Sequence, residues 1–231
     1  MISRTINYFR HHIISLISIA IRGLSVAVGF AVTFLIVRYL GAEANGHFVM
    51  ITYTATFLAV LAMGGLDVAI VRDYSAAVAH GKLVSRANIG RICLVSGGIA
   101  AAISIAVLLF GGWMFEELTG PGAPELAVPF IILLFLFRAA TRLTGSFLRS
   151  QQAYISGQVI EFLFIPLGSL IAALGLFGVS LNGVLIATVI AGLAGTILGV
   201  VLSLRRTSNS EDALSASVSG LLKAAVPLWG A

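Results

Sequence analysis

Six apolar runs, each about 20 residues long, dominate this chain of 231 residues. They cover positions 13–37, 48–71, 89–113, 126–148, 159–177 and 183–204. A run of this length is typical of a membrane-spanning helix, because about 20 helical residues cross the hydrocarbon core of a bilayer. Turn-forming residues lie between the runs, among them Gly41, Asn45-Gly46 and the Gly-Pro-Gly-Ala-Pro segment at 120–124. The pattern predicts an all-α integral membrane protein, a bundle of six transmembrane helices.

The composition of the chain excludes most other classes of protein. Hydrophobic residues make up 59% of it and charged residues 10%, whereas a soluble domain carries roughly 25% charged residues. The loops between the runs are too short to hold an extramembrane active site, and the sequence contains no phosphate-binding loop, zinc-protease motif or serine-hydrolase elbow. We therefore expect no enzymatic activity, no cofactor, no metal site and no nucleic-acid partner, and we expect a lipid bilayer around the chain.

Basic residues divide unequally between the two ends of the predicted helices. One side receives Arg4, Arg10, Arg72, Lys82, Arg86, Arg91, Arg149, Arg205, Arg206 and Lys223. The other side receives Arg38 together with the acidic Glu43, Glu116, Glu117 and Glu125. Lysine and arginine accumulate in the cytoplasmic loops of membrane proteins. Both termini are therefore predicted to lie in the cytoplasm, in a multi-pass protein of the cell inner (plasma) membrane.

The chain changes character twice after the sixth run. Residues 1–206 form the predicted six-helix unit, and a polar segment at 207–217 follows as a cytoplasmic linker. Residues 218–231 are apolar again but too few to span a bilayer as a helix. We expect this last segment to be the start of a seventh helix in a longer protein. An interfacial helix is the alternative.

Three arginines lie deep within the predicted spans. Arg22 falls in the first span, and Arg138 and Arg142 fall in the fourth. An arginine at the centre of a bilayer costs about 2.5 to 3.5 kcal/mol on insertion scales. Each of the three therefore needs a physical reason for its position.

Asp67 and Glu161 are the acidic residues at comparable depth. Arg72 follows Asp67 five residues later, so a structural ion pair or a solvated helix end competes with a functional role for Asp67. Glu161 lies near a predicted interface, and Pro166 follows it closely enough to kink the same helix. For both carboxylates the structural and the functional interpretation stay open.

Polar side chains follow one face of the first span and one face of the fourth. At steps of three or four residues these are Ser15, Ser18, Arg22, Ser25, Gly29 and Thr33, and then Arg138, Arg142, Gly145 and Arg149. A polar face within a membrane predicts a helix that lines an aqueous cavity, although Arg149 is expected to reach the interface by snorkelling. Guanidinium groups bind phosphate oxygens bidentately. The excess of positive charge therefore predicts an anionic ligand, such as a lipid-linked pyrophosphate whose prenyl tail remains in the bilayer.

Several segments together resemble the N-terminal half of polysaccharide-biosynthesis flippases. They are Arg-Tyr-Leu-Gly at 38–41, Gly-His-Phe at 46–48, Gly-Gly-Leu-Asp-Val-Ala-Ile-Val-Arg at 64–72, the helix and loop at 138–152, and the segment at 223–229. This family comprises the Wzx-type O-antigen and teichoic-acid exporters, within the multidrug/oligosaccharidyl-lipid/polysaccharide exporter superfamily. The resemblance implies a two-lobed transporter of which this chain is the N-lobe and the C-terminal lobe is missing.

The resemblance also implies a function, which is to move a polyprenyl-pyrophosphate-linked oligosaccharide to the outer leaflet by alternating access. The carried sugar would serve cell-surface polysaccharide or lipopolysaccharide synthesis, and basic residues in the lumen would hold the pyrophosphate. The substrate-binding residues predicted for this chain are Arg22, Arg138, Arg142, Ser18, Ser25, Asp67 and Glu161.

Three other hypotheses compete with the flippase. A cation-coupled multidrug antiporter of the same superfamily would use Asp67 or Glu161 to bind protons or sodium. A membrane-embedded sugar polymerase or ligase is disfavoured because the outer loop at 115–125 is short and contains no Lys, Arg or His. A scaffold subunit would pair its arginines with lipid phosphates alone.

Overall fold

The computed structural model describes residues 2–80, 85–119, 127–176 and 180–207. Within these ranges the elements are helical, and they are listed here in chain order: α1 (Ile2–Met63), α2 (Leu66–Ala79), α3 (Arg86–Thr119), α4 (Ala127–Ser150), α5 (Tyr154–Phe162), α6 (Phe164–Ile171) with a π-helical turn (Ala172–Leu176), and α7 (Leu181–Arg205). The predicted all-α class is confirmed for the described residues. The predicted linker beyond residue 207 and the predicted seventh-helix start at 218–231 lie outside them.

Four of the described helices are long and apolar enough to cross a membrane: Ile13–Met63, Arg86–Trp113, Ala127–Ser150 and Leu181–Arg205. The pair Tyr154–Phe162 and Phe164–Gly175, bent by 43°, is a fifth when it is taken as one span. These helices have the length and apolarity of a multi-pass membrane protein.

Helix α1 is interrupted at Gly41, where φ is 91° and ψ is 171°. Glycine tolerates this positive φ because it has no Cβ. Ser25 and Thr56 line the same cavity, yet a straight helix would separate residues 31 positions apart by about 46 Å. The chain therefore folds back at Gly41, and we call residues 2–40 the first arm and residues 42–63 the second arm of α1.

The second predicted span, 48–71, is not one continuous helix. Gly64 (φ 50°) and Gly65 (φ 81°) are left-handed and separate Met63 from Leu66, where α2 begins. The hydrophobicity of the sequence does not reveal this break, because the residues on both sides of Gly64-Gly65 are apolar. Its consequence is that Asp67 lies in the first turn of a new helix rather than in the middle of a span.

The fifth predicted span, 159–177, is bent between α5 and α6 at Leu163. Pro166 has no backbone N–H, so the carbonyl of Phe162, four residues earlier, lacks its helical donor. The Ser25 hydroxyl on the first arm of α1 donates to that carbonyl at 2.7 Å. Pro166, which the sequence marks as a possible cause of a kink, thus also leaves free the carbonyl to which α1 is hydrogen-bonded.

Helix α4 lies at the centre of the bundle. It packs against α1, α2, α3, α5 and α7. Its buried Leu134, Phe135 and Phe147 belong to the main hydrophobic core. Helix α7 packs closely on it, because a Cβ added to Gly192 would lie 2.9 Å from the Cβ of Phe137. Helix α3 is peripheral and exposes large apolar side chains, consistent with a lipid-facing position.

Candidate functional site

A cavity of about 430 Å³ lies between the two arms of α1, α4 and α6. Its polar lining comprises Ser25 and Thr33 from the first arm, Thr52, Tyr53 and Thr56 from the second arm, Arg138 from α4 and Ser169 from α6. The fold-back at Gly41 creates this space, because it sets the polar faces of both arms against the same side of α4. A volume of this size is within the range of ordinary ligand pockets, about 300 to 1,000 Å³.

Arg138 is the charged residue of the cavity lining. Its Nε atom is buried and has no hydrogen-bond partner among the described residues, and no carboxylate forms an ion pair with it there. The residue as a whole is half-buried, and a cation withdrawn from water without a partner is energetically unfavourable. The cavity therefore offers an uncompensated positive charge to whatever enters it.

The hydroxyl groups of Thr52, Thr56 and Ser169 in the cavity wall form hydrogen bonds within the protein. Thr52 donates to the carbonyl of Phe48 at 2.8 Å, and Thr56 donates to the carbonyl of Thr52 at 2.6 Å. Ser169 shares a 2.7 Å hydrogen bond with Thr188 of α7. These contacts hold the three side chains in place. Apart from Arg138 the wall is uncharged, so Arg138 gives the cavity its positive charge.

Arg142, one turn along α4 from Arg138, is paired with a carboxylate. Its Nη2 lies 2.5 Å from Oδ2 of Asp67, whose side chain is 8% exposed, while the Arg142 side chain is 30% exposed. The nearby Arg72 pairs instead with its neighbour Asp73 at 2.7 Å on the surface. Asp67 thus forms an ion pair, and its partner comes from another helix and not from the nearby Arg72.

Arg149 and Glu161 form a second pair, between α4 and α5. Nη1 of Arg149 lies 2.5 Å from Oε2 of Glu161, and the two side chains are 15% and 7% exposed. The pair is possible because glycines bring the helices together: a Cβ at Gly157 would lie 2.6 Å from the carbonyl oxygen of Gly145. Arg149, for which the sequence predicts snorkelling to the interface, pairs here with Glu161.

Arg22 lies beside the cavity and not in its lining. Its Nε donates to Oε1 of Gln158 at 3.3 Å, and its guanidinium carbon is 5.1 Å from the centre of the Phe162 ring. Arg22 is exposed, and Ser25, one turn further along, is the first residue of the cavity wall on this arm. Arg22 is thus placed at the approach to Arg138.

No protein-family model, curated protein or solved structure matches this chain. The geometry and charge of the site therefore carry the argument for function. Among the described residues, no group of three or more His, Cys, Asp or Glu side chains is placed to hold a metal ion.

The structure brings some of the predicted site residues together and separates others. Ser25 and Arg138 share the cavity, and Arg22 lies at its approach. Asp67 pairs with Arg142 and Glu161 pairs with Arg149, and none of these four residues lines the cavity. Ser18 is half-buried and does not line the cavity.

Sequence reasoning missed the contribution of the second arm. Thr52 and Thr56 are four residues apart and so share a helical face, a signal that was present within the second apolar run. Ser169 carries no comparable signal, because it is the single polar side chain of α6. Gln158, the partner of Arg22, lies three residues before Glu161 on α5, so a shared polar face was present there too.

Proposed function

We propose that this chain is one lobe of a flippase that moves a polyprenyl-pyrophosphate-linked oligosaccharide across the plasma membrane, and that Arg138 holds a phosphate group during transport. The observation that carries the proposal is the guanidinium of Arg138, which lies in a cavity of about 430 Å³ and has no ion-pair or hydrogen-bond partner among the described residues. A phosphate oxygen is the natural partner for such a group, because Arg–phosphate hydrogen bonds are charge-assisted and matched in geometry.

The dimensions and chemistry of the cavity favour an anionic headgroup over a drug cation. Its wall is apolar apart from hydroxyl groups and Arg138, so a cation would meet like charge. The carboxylates that a cation-coupled antiporter would need, Asp67 and Glu161, are both paired with arginines. This pairing argues against the antiporter hypothesis.

The proposal includes a topology of six spans with both termini in the cytoplasm. The two arms of α1 count as two spans, α3, α4 and α7 as three more, and the bent α5–α6 pair as the sixth. An even number returns the chain to its starting side, and the distribution of basic residues makes that side cytoplasmic. Arg22 precedes Ser25 in the first arm, so it lies on the cytoplasmic side of the cavity, where a headgroup would enter.

The rest of the proposed mechanism follows from what one lobe lacks. The cavity is walled on one side by α1, α4 and α6, and alternating access needs an opposing wall that moves. We propose that a C-terminal lobe supplies it, and that the prenyl tail stays in the bilayer while the headgroup crosses. The chain acts as a carrier and performs no covalent chemistry in this scheme.

The test is a binding measurement on the chain in nanodiscs of zwitterionic lipid, with farnesyl pyrophosphate as the probe. Arg138→Gln is expected to weaken binding at least tenfold, because a hydrogen bond to a charged group contributes about 1.5 to 3 kcal/mol. Arg205→Gln removes the same charge at an exposed position at the end of α7 and serves as the matched control. Equal affinities for the wild type and Arg138→Gln would show that the cavity is not an anion site.

A further inference from the structure

Arg138, which lines the cavity, and Arg142, one turn further along α4 and outside the lining, differ in whether they are free to bind a ligand. Arg138 and Arg142 are four residues apart on α4, so their positions are separated by about 6 Å along one face of the helix. Two free guanidinium groups at this spacing would clamp a pyrophosphate from both ends. Of the two, Arg138 has no partner in the part of the chain that the structure describes, whereas Arg142 is paired with Asp67.

We propose that Asp67 is a specificity-determining residue that acts as an internal competitor of the ligand, taking the place at Arg142 that a second phosphate would otherwise fill. This inference rests on the proposed function, since it concerns the arginine that follows Arg138 by one turn on α4. A carboxylate oxygen 2.5 Å from Nη2 makes the contact that a phosphate oxygen would make. Asp67 therefore limits the site to one strongly held anionic group.

The Arg142–Asp67 pair is built differently from a purely structural one. The Arg142 side chain is 30% exposed, and its Nε has no hydrogen-bond partner among the described residues. In the Arg149–Glu161 pair both side chains are at most 15% exposed, and Arg149 also donates to Ser146 at 2.9 Å. Among the described residues the guanidinium of Arg142 thus has one partner, whereas that of Arg149 has two.

The position of Asp67 follows from the backbone. The left-handed Gly64 and Gly65 end α1 and start α2 at Leu66, which places the carboxylate in the first helical turn facing α4. A negative charge is favoured at a helix N-terminus by the helix dipole. The break in the second span therefore delivers a counter-charge to Arg142.

A transporter gains from this arrangement because its ligand must leave as well as enter. A site that binds too strongly retains its cargo, and conduction or transport requires affinity that is sufficient for entry but weak enough for release. By withholding Arg142, Asp67 holds the affinity for a pyrophosphate below the value that two free arginines would give.

The experiment compares two probes on the chain in zwitterionic nanodiscs: farnesyl pyrophosphate and farnesyl methyl phosphate, which carries a single negative charge. Asp67→Asn is expected to tighten binding of farnesyl pyrophosphate about tenfold, equivalent to about 1.4 kcal/mol, and to leave the singly charged probe within about twofold. The gain should disappear in Asp67→Asn/Arg142→Gln, because it depends on the released guanidinium. Asp73→Asn, which releases the exposed Arg72, is the control without gain.

Three results would overturn the inference: no gain in Asp67→Asn, an equal gain for both probes, or a gain that survives removal of Arg142. If Asp67→Asn does not fold, Arg142→Gln decides the question, since it removes the charge at position 142 and keeps a polar side chain with N–H donors. It is expected to weaken pyrophosphate binding far less than Arg138→Gln does, and an equal loss contradicts the inference. If every variant, including Arg138→Gln, binds farnesyl pyrophosphate as well as the wild type does, the proposed function is refuted instead.

Discussion

Glu161→Leu removes the carboxylate that faces Arg149 and leaves a guanidinium within the bundle with Ser146 as its remaining hydrogen-bond partner among the described residues. Both side chains of the pair are largely buried, at 15% and 7% exposure, so solvent screens the pair weakly. We expect the substitution to lower the free energy of unfolding substantially.

The magnitude follows from the burial of the pair. Removing one partner of a buried ion pair typically costs about 3 to 5 kcal/mol, because an uncompensated charge remains. Replacing both partners by apolar side chains of similar volume is often neutral or stabilising. Glu161→Leu/Arg149→Met should therefore recover most of the loss, and the coupling energy of the cycle should be about 3 kcal/mol.

The assay is reversible unfolding of the chain in mixed micelles, followed by loss of helical circular dichroism as the denaturing detergent increases. Asp73→Ala is the control, since it breaks the exposed pair with Arg72 and is expected to leave the midpoint unchanged. A double variant as unstable as Glu161→Leu, or a single variant as stable as the wild type, would refute the argument that burial governs this pair.

Two further predictions concern helix contacts. Gly157→Ala should lower the free energy of unfolding by about 1 to 3 kcal/mol, because the new methyl group would lie 2.6 Å from the carbonyl oxygen of Gly145. Gly97→Ala is the control: a Cβ at Gly97 would have no atom within 4 Å, and this variant should show no loss of stability in the same detergent titration. Ser25→Ala should cost about 1 to 3 kcal/mol, because the Phe162 carbonyl then loses its donor at 2.7 Å; an unchanged unfolding midpoint would show that this bond does not join α1 to α5.

The fold class followed from the sequence because bilayer thickness fixes the length of an apolar run. The runs at 89–113, 126–148 and 183–204 each correspond to one long helix of the structure, α3, α4 and α7. The runs at 48–71 and 159–177 were read as single spans but contain breaks at Gly64-Gly65 and at Leu163. A hydropathy window averages over such positions, so a local backbone break leaves the run unchanged.

The candidate site followed from the sequence in part. The polar face that includes Ser25, Gly29 and Thr33 does line a cavity, since helical periodicity alone places these residues on one side. The partners of the charges did not follow. Asp67 and Arg142 are 75 residues apart, and periodicity along one helix contains no information about which face of another helix it meets.

The sequence alone determined that the chain is built of apolar helices, that polar residues run along two of them, and that positive charges lie within the apolar runs. These are properties of single segments, set by hydrophobicity and by the helical repeat. Only the tertiary structure decided which of those charges is free. Arg138, Arg142 and Arg149 look alike along α4, and the helix packing supplies carboxylates to Arg142 and Arg149 but leaves Arg138 without one in the cavity. The electrostatic character of a buried group is set by its neighbours in space, and these come from α2 and α5.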